Sequence, residues 1–216
     1  MPREGGETRR RIIDTAYEVF YKGGFARAGV DAIAEAAKVT KRTLYYHFDS
    51  KDALLAAVLD AQHELVLARI NRWAKRASGD PAKIVHILFD EFKTWASKPG
   101  WQGSGFTRAT MELADLPGHP ARAAAHRHKA AVENWLAGQF AAGRTQGSRE
   151  LARQVMLLIE GCHSLVLIHG DPSYIDTASA TARLLVRAGT LSISAATPPP
   201  GCAPRPRRRH PSSPRG

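Results

Sequence analysis

Apolar residues recur at three- and four-residue intervals through most of this 216-residue chain, and the alternation of a half-buried strand is scarce. That spacing predicts an all-α protein. Ile12, Ile13, Ala16, Tyr17 and Phe20 form one face of a helix over about 8–22, which Gly23-Gly24 stop. Val30, Ile33, Ala34 and Ala37 mark a second helix over about 30–37. Leu44 and Phe48, four residues apart, mark a short third one over about 41–48, with Thr40 placed to cap it. Ser50 precedes a fourth helix that reaches about residue 76. Beyond Gly79-Asp80-Pro81, Gly and Pro punctuation divides the chain into helices over about 81–97, 105–115, 120–142, 148–169 and 173–191. Gly170-Asp171-Pro172 joins the last two, with glycine ending one helix and Asp and Pro opening the next.

The formal net charge of +11 points to a polyanionic partner, but nearly half of it lies in residues 196–216, which hold five arginines and no acid. Pro, Gly and Ser dominate that segment, so it is expected to be a disordered basic tail. Arg207, Arg208 and Arg209 could meet nucleic acid or simply be solvated. The two cysteines, Cys162 and Cys202, fit neither a disulfide scaffold nor a zinc motif. No run of eighteen apolar residues suggests a bilayer span, and Met1–Gly6 has no apolar core of a signal peptide. A reducing cytoplasm is the expected compartment.

Only Lys38-Val39-Thr40 separates the second and third helices, which is the spacing of a helix-turn-helix (about 29–48). Ala34, Val39 and Leu44 would pack inward, and Lys41, Arg42, Thr43, Tyr45 and His47 would face out. Lys and Arg suit phosphates or guanine edges, Thr and Tyr can bond phosphate, and Tyr can meet a thymine methyl. Amides at a helix N-terminus add phosphate donors. Tyr46 is expected between helices and Tyr45 exposed. Arg9, Arg10 and Arg11 read as a solvated run that could also serve DNA phosphates.

The stretch ARAGVDAIAEAAKVTKRTLYYHFDSKDALLAAV (26–58) resembles the tetracycline-repressor (TetR) family of bacterial regulators, through Thr43-Leu44-Tyr45-Tyr46-His47-Phe48, Ser50-Lys51 and Leu54-Leu55. Gly23-Gly24-Phe25 is similar too, and the likeness covers about residues 6–66. The resemblance implies that Lys41 and Arg42 face base edges, that Thr43 and Tyr45 meet phosphate or base, and that His47 lies near the backbone. It also implies a phosphate contact for Lys51. Gly29-Val30-Asp31 departs from the Thr that many members carry there. The family further implies an effector-binding, dimerising domain after the fourth helix, here residues 67–195.

The residues support that division. The helix over 148–169 carries one stripe of Leu151, Val155, Leu158, Ile159, Cys162, Leu165 and Val166, and another of Leu157, Gly161, Ser164 and Ile168. Two apolar faces require cover on both sides, one of them from a second copy. Leu158, Gly161, Leu165 and Ile168, with Leu185 on the last helix, are the expected interface. Trp95, Trp101, Phe106, Met111, Trp135 and Phe140 could line a cavity for an apolar or aromatic effector, with Arg108, Glu112 and Gln139 as polar anchors; plain core packing is the competing reading. His126 and His128 do not share a helix face, so no metal or other cofactor is expected. No nucleophile elbow, P-loop or dinucleotide fingerprint is present, which argues against an enzyme. The expected function is a homodimeric, effector-released repressor of a palindromic DNA operator. The rival is a sequence-indifferent architectural DNA binder using its tail.

Overall fold

The computed structural model describes the backbone of residues 2–195 and the side chains of residues 5–190, so the tail reading (196–216) lies outside the described residues. Among them the chain forms α1 (Pro2–Gly23), α2 (Val30–Ala36), α3 (Lys41–His47), α4 (Lys51–Lys75), α5 (Pro81–Ala96), α6 (Gly105–Glu112), α7 (Pro120–Ala142), α8 (Ser148–His169) and α9 (Ser173–Ala195). The all-α architecture holds. The first helix begins about six residues before Thr8 and the last runs on to Ala195.

The caps act where the sequence puts them. The Thr43 amide donates to Thr40 Oγ1 at 3.0 Å and the Ala53 amide to Ser50 Oγ at 3.0 Å. Asp80 accepts from Ala82 at 2.9 Å ahead of Pro81, and Asp171 accepts from Ser173 at 2.8 Å. His119 is an unforeseen cap, its Nδ1 accepting from Ala121 at 3.1 Å. Each cap satisfies an amide that the first helical turn leaves unpaired.

The packing divides differently from a boundary at 66/67. Ile12, Phe20, Phe25, Ile33, Leu44, Leu54 and Leu55 form the N-terminal core, but Phe106, Ala109, Leu113, Ala121, Ala124 and Ala125 belong to the same cluster. The short helices α2 and α3 leave apolar area on α1 and α4 uncovered, and α6 with the first half of α7 supplies the cover. Helix α4 also runs unbroken through the expected boundary. A second core joins α5, α7, α8 and α9 around Phe89, Leu136, Phe140, Val155 and Ala182.

Helix α8 passes a length-and-composition test for crossing a membrane, with a mean hydropathy of 1.5 over its most apolar window, although Arg153 and Glu160 interrupt its apolar run. Here its Leu151, Val155, Cys162 and Val166 are buried in the helical core.

Helices α5 and α7 meet at Gly143, where a Cβ would stand 2.7 Å from Pro81 Cδ and closer still to Cγ. Gly143→Ala is therefore expected to cost about 1–3 kcal/mol by overpacking. For a chain of this size that is about 2–4 °C of Tm per kcal/mol, readable in a thermal melt. An unchanged Tm would show that the two helix ends separate freely.

Candidate functional site

The turn between α2 and α3 places Lys38 in the left-handed region (φ 54°), and the Val39 amide returns to Ala34 O at 3.0 Å. Leu44 and Phe48 are buried and fasten α3 to the N-terminal core. Lys41, Arg42 and Tyr45 are exposed, with Thr43 and His47 half-buried, so this face of the helix is available to a partner. The side chains of Arg42 and Tyr45 make no hydrogen bond to any described residue, whereas Lys41 pairs with Asp31 at 3.0 Å.

Tyr46 differs from expectation, and Lys51, Arg9 and Arg11 make contacts that local sequence does not show. Tyr46 is 84% exposed, not packed between helices. It lies two residues from both Leu44 and Phe48, and at 3.6 residues per turn that is the opposite side of α3. Lys51 Nζ donates to Ala26 O at 2.7 Å and to Ala28 O at 3.4 Å, so in the free protein it braces the loop between α1 and α2. The arginine run is not merely solvated either: Arg9 lies over the Phe48 ring at 4.9 Å, and Arg11 Nε donates to Ala37 O at 3.2 Å.

Behind this module lies a cavity of about 290 Å³, walled by α1, α4, α5, α6, α7 and α8. Three tryptophans (Trp73, Trp95, Trp135) and three phenylalanines (Phe89, Phe92, Phe106) supply most of its aromatic surface. Its polar wall is a network. Lys129 Nζ pairs with Glu160 and lies 3.4 Å from Ser104 Oγ, and Thr107 Oγ1 donates to Glu160 at 2.8 Å. Burial alone would raise the Glu160 carboxyl, but neighbouring His163 and the Lys129 ammonium outweigh it and hold it well below the usual carboxylate range. His128 stacks on Phe106 at 3.7 Å, and its Nδ1 lies 3.1 Å from His63 Nδ1. Burial, with Lys129 and His63 nearby, pushes His128 down to about 3. His163 is lowered too, chiefly by burial, and its Nδ1 lies 3.6 Å from Glu160 Oε1, beyond hydrogen-bond length.

Of the nine residues named from sequence for the cavity, Trp95, Phe106 and Trp135 line it, while Phe140 is buried in the second core. Trp101 stands outside the wall, edge-on to Trp95 at 5.6 Å. Arg108 and Glu112 are turned to α1: Arg108 donates to Tyr21 O at 2.9 Å and to Glu112 at 3.2 Å, while Glu112 accepts from the Ala26 amide at 3.2 Å. They join α6 to the DNA-binding module rather than anchoring a ligand, because α6 buries Phe106 and Ala109 between the two regions. Met111 is 66% exposed beside an outer groove, and Gln139 is half-buried away from the cavity. Sequence reasoning missed Tyr17, Gln62, Trp73, His128, Lys129, Glu160 and His163. One signal existed: Ala121, Ala125, His128 and Val132 make an inward stripe with a single polar member.

A short helix, a tight turn and an exposed basic helix, mounted on a helical body, define a helix-turn-helix DNA-binding module. Residues 12–58 match the family model described as "Bacterial regulatory proteins, tetR family", and the module is of that family's type. The chain is 48% identical over 61 residues to the HTH-type transcriptional regulator TtgR of Pseudomonas putida, covering 28% of this chain and 29% of that protein. It is 41% identical over 88 residues to the regulator UidR of Escherichia coli, covering 41% of each. The aligned part thus spans well under half the length of these curated relatives. A TetR-family regulator from Streptomyces coelicolor superposes with a TM-score of 0.75 at 27% identity, covering 86% of this chain and 97% of that one. Escherichia coli NemR, at 20% identity and a TM-score of 0.75, shares the fold. The described fold is that of TetR-family regulators.

Proposed function

We propose that this protein is an effector-responsive transcriptional regulator, acting in the cytoplasm as a homodimeric repressor that binds a palindromic operator and is released by a small apolar or aromatic molecule. The role is one of binding, without catalysis. The observation that carries this reading is the shared framework of cavity and DNA-binding module. Helices α1 and α4 pack in the N-terminal core, and both contribute to the cavity wall through Tyr17, Gln62, Val66, Arg69, Ile70 and Trp73. A ligand that fits the cavity in only one arrangement of these helices shifts the population of the DNA-competent state.

Two heads on successive major grooves require a dimer. Leu157 (69% exposed), Ile168 (71%) and Leu184 (67%) leave an apolar face on α8 and α9. Leu165 and Gly161 lie on it, and a Cβ on Gly161 would meet nothing within 4 Å. Leu158 and Leu185, expected at the interface, are half-buried against the protomer's own core. The freer leucines and Ile168 are thus the better interface residues.

The test is footprinting on a site isolated by selection from random DNA. A protected palindrome is expected; uniform protection would favour the architectural reading. Arg42→Ala should weaken binding and relax base preference, by about 1–3 kcal/mol if the guanidinium reads a guanine. Tyr45→Ala should weaken binding with the fold unchanged by circular dichroism. Unchanged affinity in both variants would remove α3 from the recognition role.

A further inference from the structure

The cavity wall carries charges that are already answered and neutral polar groups that are not. Lys129 is paired with Glu160, and Glu91 with Arg76. Arg69 is exposed on the wall, where water screens it. By contrast, neither the Tyr17 hydroxyl nor the Gln62 side-chain amide has a hydrogen-bond partner among the described residues, and the buried His163 Nδ1 has only the Glu160 carboxylate, 3.6 Å away. A ligand bearing a formal charge would lose its hydration and find no unpaired opposite charge inside. A ligand bearing an uncharged donor or acceptor would satisfy groups that now go without.

Resting on the effector reading above, we propose that the cavity takes an uncharged planar aromatic molecule with one neutral hydrogen-bonding substituent, and that Tyr17 is the residue that selects it. The aromatic body fits the wall of Trp73, Trp95, Trp135 and Phe106, where ring faces and edges provide area and geometry. The position of Tyr17 has a consequence for signalling. It stands on α1, inside the DNA-binding module, yet reaches α6: a Cβ on Gly105 would stand 3.2 Å from its hydroxyl and 3.3 Å from Phe25 Cζ. The missing side chain at Gly105 allows α1 and α6 to approach this closely. A ligand held by Tyr17 therefore touches the DNA-binding module directly, with no intervening helix.

The experiment is a titration of the full chain, followed by tryptophan fluorescence, with four probes of one ring system: naphthalene, 2-naphthol, 2-naphthoate and (2-naphthylmethyl)ammonium. At neutral pH 2-naphthol should bind tightest. The two ions should bind at least about tenfold more weakly, since each is desolvated without a partner. Tyr17→Phe should lower 2-naphthol affinity about 3- to 10-fold, the loss of one hydrogen bond, and leave naphthalene unchanged. Gln62→Leu gives a second reading should Tyr17→Phe disturb the fold, with the same selective loss expected. Tightest binding by either ion, or equal losses for 2-naphthol and naphthalene in both variants, would overturn the proposal, as would no binding by any probe. Release of selected operator DNA is read in parallel. Probes that bind in the expected order without releasing DNA would uphold the ligand class and sink the effector role instead.

Discussion

The double substitution Leu157→Glu with Ile168→Glu is expected to leave the protein folded but monomeric, and to abolish measurable binding to a palindromic site. Both side chains are about 70% exposed in the protomer, so glutamate there costs the isolated fold little. In a symmetric contact each substitution occurs twice, and an unpaired carboxylate buried by association costs several kcal/mol. Four such groups exceed what an interface of ordinary size can absorb. One head alone also loses the simultaneous engagement of two half-sites. Sedimentation would check the assembly state, circular dichroism the fold and footprinting the DNA. Leu158→Glu is a poorer test, because that side chain is packed against the protomer's own core and its loss would mix unfolding with dissociation. An intact dimer in the double variant would place the interface elsewhere.

The second large effect is on acid stability. His128, 5% exposed, is held neutral down to about pH 3, whereas an unfolded chain would protonate it near 6.5. The unfolded state therefore binds the extra proton between these values, and stability falls as pH falls below about 6.5. Between about pH 7 and about pH 4.5 the loss from this residue should be about 2–3 kcal/mol. His163, also lowered, acts in the same direction. Glu160 adds its own loss only below the unfolded carboxyl value of 4.5, so this window isolates the histidines. Denaturant titrations at both pH values should show a shallower pH dependence for His128→Gln than for the parent, whatever its absolute stability. Identical slopes would mean that water reaches His128 and that its protonation is not resisted in the fold.

The helix-turn-helix was legible because its determinants are local. A run from Thr40 to Ser50 contains a cap, a buried i, i+4 pair and a second cap, and each acts through contacts within a few residues. Arg42 and Tyr45 could be assigned outward from spacing alone. Tyr46 was not, since its aromatic bulk suggested burial while the angular position on so short a helix decided exposure. Lys51 was assigned to phosphate through family resemblance. The contacts to Ala26 and Ala28 O depend on how the loop folds over α4 and leave no trace in local sequence.

The cavity shows the opposite case. Aromatic character marks Phe106 and Trp135, and both line it, whereas Arg108 and Glu112, their polar neighbours in sequence, face α1 and the loop after it. Lys129 and Glu160 lie 31 positions apart and on different helices. Tyr17 reaches the wall from a helix that local pattern had placed wholly in the DNA-binding module.

Amino-acid order alone determined the helices, the ends that carry a cap, the turn at Lys38-Val39-Thr40 and the outward set on α3. These follow from periodicity and capping, whose range is about one helical turn. Only the tertiary structure decided where one region ends and the other begins, because the apolar faces of α1 and α4 are covered by α6 and α7, far along the chain. It also decided which polar residues meet in the cavity, and which leucines of α8 remain uncovered. Both depend on how helices cross and rotate against one another, a property of packed pairs that no single helix's pattern contains.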